Sequence, residues 1–168
     1  HGCMNIKLDN DIDFKGIPDY HQPIGRSQRK YAGHFDGQGH KVKGMVITRS
    51  ISLVDKDFDG VGFFGSVRGG ISDSGGWNMS TNEAIIENLI IDESCSINFS
   101  GRFGAGIVGH VNSRVSDSSG VTIRNCGNMA NITLDGKNAA GIMGCVETTD
   151  INICIENCFN TGDISGSA

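Results

Sequence analysis

The stretch Asp55-Lys56-Asp57-Phe58-Asp59-Gly60 sets three carboxylates at alternate positions ahead of a glycine. Alternate carboxylates converge on one hard cation, and glycine permits the sharp turn of such a loop, so the chemistry in question is calcium binding. The twelfth position, where a calcium loop carries a bidentate Glu, is Ser66. Asp55, Asp57 and Asp59 are therefore candidate calcium ligands, with a solvated acidic loop as the competing reading. Asp9, Asp11 and Asp13 also alternate, which on a strand would place them on one face.

Gly60-Val61-Gly62-Phe63-Phe64-Gly65 and Gly104-Ala105-Gly106-Ile107-Val108-Gly109 both match the glycine pattern of a dinucleotide loop. That loop must join a strand to a helix, with an acidic residue about 20 positions on. Neither copy is followed by helical periodicity, and the pattern nearly recurs a third time, so these glycines belong to a repeat. Six cysteines are present, Cys3, Cys95, Cys126, Cys145, Cys154 and Cys158, with no C-x-x-C pair, which argues against zinc. Cys126 and Cys158 hold equivalent places in the repeat. They read as buried thiols acting as small hydrophobes, and a Cys126–Cys158 disulfide, suited to an exported protein, is the alternative. His110 aligns with Ser66 and Cys145, a position too variable for a catalytic base.

The repeat decides what must position these groups. Val61-Gly62-Phe63-Phe64-Gly65-Ser66-Val67, Ala105-Gly106-Ile107-Val108-Gly109-His110-Val111 and Ala140-Gly141-Ile142-Met143-Gly144-Cys145-Val146 align at offsets of 44 and 35 residues. Ile85-Ile86-Glu87-Asn88-Leu89, Thr122-Ile123-Arg124-Asn125-Cys126 and Ile153-Cys154-Ile155-Glu156-Asn157-Cys158 align at 37 and 32. A third strand follows each: Cys95–Asn98, Ala130–Thr133 and Gly162–Ser165. Lys41-Val42-Lys43-Gly44-Met45-Val46-Ile47 reads as a degenerate earlier copy, with Gly44 in the Asn88 place. Val, Ile and Phe at alternate positions fit strands, and glycine interrupts every helical candidate. A unit this small buries its apolar face only by stacking on copies of itself.

The expected fold is an all-β, right-handed parallel β-helix of about four coils with three short strands each. One domain spans 1–168, with an opening segment and degenerate coil over 1–50 and repeats over 59–100, 103–136 and 138–168. Asn88, Asn125 and Asn157 at one corner, and Asn128 and Asn160 at another, are expected to form ladders, with Cys126 and Cys158 stacked beside them. Asn tolerates the left-handed backbone of a tight corner, and stacked amides pass hydrogen bonds between layers. Glu87, Arg124 and Glu156 fall at one stacked position and predict a cross-strand charge ladder. Loops of different length leave one flank, so Trp77, Asn78, Arg114 and Asp117 are the candidate ligand-binding residues.

The Gly-x-x-Gly segments 62–65, 106–109 and 141–144 resemble the GLUG-motif repeat of bacterial secreted and surface proteins. So do the turns Asn125-Cys126 and Asn157-Cys158-Phe159-Asn160-Thr161-Gly162. Leu8–Phe14, Pro23-Ile24-Gly25 and Phe35-Asp36-Gly37-Gln38-Gly39-His40 are similar to the stretch that often precedes such repeats. The resemblance implies a β-helix-like module, at times adhesin-like, of an extracellular bacterial protein. Similar repeats occur in some IgA-cleaving metallopeptidases. It supplies no catalytic residues. Phe63-Phe64 departs from the smaller aliphatics of the motif.

Composition narrows the function. The 168 residues carry 14 Lys+Arg against 19 Asp+Glu, a net charge of −5, which argues against a phosphate-binding surface and nucleic acid. Glycine makes up 25 residues, without the three-residue period of collagen. No apolar run reaches membrane-spanning length. The chain opens His1-Gly2-Cys3-Met4 and ends in mid-pattern, so the expectation is a piece of a longer polypeptide whose remainder is its first partner. The expected function is a non-catalytic module, secreted or on the cell surface: a spacer, an adhesin segment or a surface that docks a partner. The alternatives are a glycan-binding or carbohydrate-active domain, with a host or bacterial surface glycan or protein as ligand, and an accessory domain of a surface peptidase. No cofactor is expected apart from calcium.

Overall fold

The computed structural model describes residues 4–26, 28–48, 60–69, 83–113, 119–147 and 151–167. Among them there is no helix, and every pairing between strands is parallel. The strands, numbered in chain order, form four sheets. Sheet 1 runs β1 (Ile6–Lys7), β3 (His34–Asp36), β8 (Ala84–Glu87), β12 (Val121–Arg124), β16 (Ile153–Glu156). Sheet 2 runs β2 (Ile12–Asp13), β4 (Lys41–Lys43), β9 (Ile90–Ile91), β13 (Gly127–Asn128), β17 (Phe159–Asn160). Sheet 3 runs β5 (Val46–Ile47), β10 (Ser96–Ala105), β14 (Asn131–Ala140), β18 (Ile164–Ser167), with β6 (Gly60–Val61) beside the second half of β10. Sheet 4 runs β7 (Phe64–Val67), β11 (Val108–Val111), β15 (Met143–Val146). From β8 the chain visits sheets 1, 2, 3 and 4 in order, and then repeats the circuit from β12.

In-register pairing turns the sequence pattern into rows. Ile6, Phe35, Ile86, Ile123 and Ile155 pair in succession across sheet 1. Phe35, Ile86 and Ile123 lie in the core. Ile47, Ile97, Ile132 and Ile164 do the same in sheet 3. Because strand side chains alternate between faces, the intervening residues form outward rows. The two phenylalanines that depart from the repeat are buried in the core. Phe63 and Phe64 meet Phe35 edge-on, with ring centroids 5.6 and 5.2 Å away, the geometry aromatic quadrupoles favour.

The first glycine of two motifs has a specific packing reason. A Cβ on Gly106 would stand 2.1 Å from Asn128 Oδ1, and one on Gly141 2.3 Å from Asn160 Oδ1. The Gly-x-x-Gly strand and the second-corner Asn are therefore one device: the amide occupies the space where a side chain would be.

Two sequence expectations are corrected here. Each complete circuit has four strands, not three; the missed members are the two-residue strands of sheet 2. Gly127-Asn128 and Phe159-Asn160 carry none of the β-branched residues that announce a strand. Nor does Gly44 hold the Asn88 place. Lys41–Lys43 belong to sheet 2, where Lys41 pairs with Ile90, and the strand that pairs with Ala84–Glu87 on that side is His34–Asp36.

Candidate functional site

The candidate calcium ligands Asp55, Asp57 and Asp59, and the candidate binding residues Trp77, Asn78, Arg114 and Asp117, lie outside the described residues. Among the described residues, no group of three or more His, Cys, Asp or Glu could hold a metal ion. The polar residues that the fold does bring together gather on the outer face of sheet 1 and the corner beyond it.

Register places Lys7, Asp36, Glu87, Arg124 and Glu156 in one outward row. Glu87 is its centre. Arg124 Nε donates to Glu87 Oε2 at 2.7 Å, and His34 Nε2 lies 2.7 Å from Oε1. The guanidinium, with His34 adding to it, holds the Glu87 carboxyl below its ordinary range, against the opposing effect of burial. Thr122 Oγ1, two residues before Arg124 on the same face of β12, donates to Glu83. The Asn88 amide bonded to Asp36 lowers that carboxyl too.

The corner that follows is built from left-handed residues. Asn88, Asn125 and Asn157 have φ of 54, 52 and 51°, and Gln38 has 52°. Asn side chains make this conformation accessible by bonding locally. Asn125 Nδ2 donates to Asn88 Oδ1 at 3.2 Å, and Asn88 Nδ2 to Asp36 Oδ1 at 2.9 Å. The ladder thus ends on a carboxylate supplied by a different sequence motif. Beside it lies a shallow depression of about 460 Å³ lined by Asp36, Gln38, Gly39, Asn88, Ile90 and Asn125.

The second ladder is internal. Asn128 is fully buried, and its Nδ2 donates to Asn160 Oδ1 at 2.8 Å and to the Ala130 carbonyl at 2.9 Å. Cys126 and Cys158 are free thiols. Burial pushes the Cys126 thiol up to about 12 and raises that of Cys158, so neither supplies a thiolate near neutral pH. Cys95 is likewise buried, its thiol pushed up to about 11.

The sequence reading missed a third cluster. His110 is completely buried; its Nε2 lies 3.2 Å from Glu147 Oε2, and Arg102 donates to Glu147 Oε1 at 2.8 Å. The Phe103 ring lies 4.9 Å from the His110 ring, and the Arg102 guanidinium lies 4.7 Å over Phe103. The pairing Ser66, His110, Cys145 across sheet 4 was legible from the repeat. Arg102 and Glu147, on separate circuits, were not. The arrangement clamps β10 to the end of β15, and the imidazole has no open path to a substrate.

The chemistry available is restricted. Among the described residues, Glu87 is ionised and doubly paired, burial holds the Cys95, Cys126 and Cys158 thiols protonated, and His110 is enclosed. A general acid or base needs a group poised to exchange its proton with a substrate, and these groups are engaged with one another. No family model, curated protein or solved structure matches the chain.

Proposed function

We propose that the chain is a non-catalytic module of a secreted or cell-surface bacterial protein, wound as a right-handed parallel β-helix of about four coils. It serves as a spacer, an adhesin segment or a surface that docks a partner. One observation carries the reading: polar residues on neighbouring strands and their corners are bonded to each other along the stack. Asp36 to Asn88 to Asn125, and His34 to Glu87 to Arg124, are the two runs. Polar groups spent in this way stiffen a rod and leave little for turnover. The pairing of each circuit with the next in four parallel sheets supports the winding.

The corner depression favours a second reading, a glycan-binding face, since Asn88, Asn125 and Asp36 edge it beside the apolar Ile90. The test is a glycan array together with a calcium titration of the purified chain, both read by thermal shift. A ligand at 100 times its dissociation constant adds about 2.7 kcal/mol to stability. The scaffold reading expects no shift with either. A shift with one sugar class replaces it with the glycan reading, and a calcium shift alone assigns a site to Asp55, Asp57 and Asp59.

A further inference from the structure

The outer face of sheet 3 differs from the outer face of sheet 1. Along its strands Ile97, Phe99, Ile132 and Leu134 are buried, while Asn98 and Thr133 between them are exposed. Asn98 pairs with Thr133, and Thr133 with the exposed Ser165. The pairing of Ile47 with Ile97 sets the exposed Thr48 beside Asn98 on the next strand. These residues form one row across the strands that carries no charge. The row of sheet 1, by contrast, holds Lys7, Asp36, Glu87, Arg124 and Glu156. Thr48, Asn98 and Thr133 line a shallow depression of about 370 Å³, with Ser100 and Asp135 at its side.

The two polar regions also differ in what they leave available. At the Asn corner the amides are spent: Asn88 on Asp36, Asn125 on Asn88, and Gln38 Nε2 on the Leu8 carbonyl at 2.7 Å. On sheet 3 the Thr133 and Ser165 hydroxyls share one bond of 3.1 Å, and the Asn98 amide bonds no other described residue. Amides and hydroxyls donate and accept, as sugar hydroxyls do. Asp19 accepts from the Thr48 amide and hydroxyl, and Tyr20, next along the chain, is 68% exposed. An aromatic ring therefore stands beside the row. A ring for the C–H face of a sugar and a few fixed polar groups for its hydroxyls make up a ligand site of the ordinary kind.

We propose that this face binds a neutral, extended chain of pyranose sugars, laid along the stack and crossing the strands. Neighbouring strands lie about 4.8 Å apart, close to the advance of one sugar unit in such a chain, so successive units meet successive members of the row. Asp19 and Asp135 border the row and repel a chain of uronic acids. The face lies along the flank of the stack and does not depend on what adjoins either end. This assignment rests on the glycan reading above and sets the site on sheet 3 rather than at the corner.

Isothermal titration calorimetry of the purified chain with cellohexaose, chitohexaose and mannohexaose tests it, with hexagalacturonate as the charged comparator. At least one neutral hexasaccharide should bind, and its disaccharide should bind about tenfold more weakly or worse, because it spans fewer strands. Tyr20→Ala should weaken binding about thirtyfold, as loss of an aromatic anchor does, and Asn98→Ala about tenfold. Far-ultraviolet circular dichroism and melting temperature matching the parent separate lost binding from lost fold in both variants. Binding that Ile90→Ser at the corner weakens, and that the Tyr20 and Asn98 variants leave unchanged, overturns the assignment while the glycan reading stands. Tighter binding of hexagalacturonate overturns the neutral ligand. No binding of any neutral hexasaccharide overturns the assignment, and a blank glycan array besides overturns the reading beneath it.

Discussion

At one end of the sheets, side chains stand in for the strands that are absent. Asp19 accepts from the Thr48 amide and hydroxyl at 2.9 and 2.7 Å, Asn5 Oδ1 from the His34 amide at 3.1 Å, and Asp11 from the Lys41 amide at 2.9 Å. Pro18, which has no N–H to leave unpaired, bridges Val46, and Tyr31 bridges Val67. The other end has the same rows and, among the described residues, no such caps on its outermost strands: Ile155, Phe159 and Ile164 stand exposed there. The difference teaches that the apolar row is not itself the stabilising unit. Burial of a row member requires a layer on each side, and a position identical in type contributes according to where it falls in the stack.

The largest effect that sharpens this comparison comes from truncating the same residue type in adjacent strands. Ile123→Ala, at a fully buried position, should cost about 3 kcal/mol. Ile155→Ala, its partner in register but 44% exposed, should cost less than about 1 kcal/mol. Urea denaturation of dilute protein, below the range of any self-association, measures both. Equal losses would mean that the exposed end is covered in solution.

Much of this architecture was legible because the same residue types recur at equivalent places in each unit, although the offsets vary. The outward row of Glu87, Arg124 and Glu156, and the left-handed corner at Asn88, Asn125 and Asn157, follow from that recurrence together with what Asn backbones tolerate. The rest depends on contacts between dissimilar segments. Asp36 completes the ladder from a Phe-Asp-Gly stretch that looks nothing like the Asn turns. Gln38 takes a left-handed φ of 52° that its residue type does not announce. Residues 4–31 contribute two-residue strands and single bridges, held by side-chain caps that no periodicity shows. Arg102 and Glu147 meet across 45 positions of sequence, joined only by the way β10 lies against the end of β15.

A smaller effect separates the two ends at the Asn corner. Asn125 and Asn157 share a left-handed backbone, but only Asn125 has a described ladder bond, to Asn88. Asn125→Ala should cost about 2 kcal/mol, from backbone strain plus a lost hydrogen bond, and Asn157→Ala about 1 kcal/mol from strain. Replacement by Gly removes the strain at both sites and should leave a deficit at residue 125 alone. Thermal unfolding of the four variants checks this. A residual deficit at residue 157 would place a partner above the last Asn.

The smallest effect follows from where the perturbed carboxylates sit. Asp11 is lowered to about 2, chiefly by the Lys43 ammonium. Asp36 is lowered by the Asn88 amide, Glu87 by Arg124, and Asp92 by hydrogen bonds from Ser94. Asp11 and Asp36 lie toward the capped end, and Glu87 and Asp92 lie on or beside the middle strands of sheets 1 and 2. A carboxyl whose folded value is depressed contributes stability that is complete above its unfolded value and disappears as pH falls through the folded one. The window therefore opens near the ordinary values of 3.8 for Asp and 4.5 for Glu and extends down to about 2. Their cationic partners are part-exposed and screened by salt, so each pair contributes modestly, and none of the four carboxylates lies on the last two strands of sheets 1 and 2. Hydrogen exchange read by mass spectrometry, after equal incubation at pH 6 and pH 3 with exchange times corrected for the intrinsic rate, should show peptides covering residues 4–48 losing protection in acid before those covering 131–146. Glu87→Gln should reduce the acid sensitivity of strands β3, β8 and β12 without altering that of β14. Simultaneous loss along the whole stack would show that the two ends open as one cooperative unit, and the capped end would then owe its distinctness to geometry rather than to local stability.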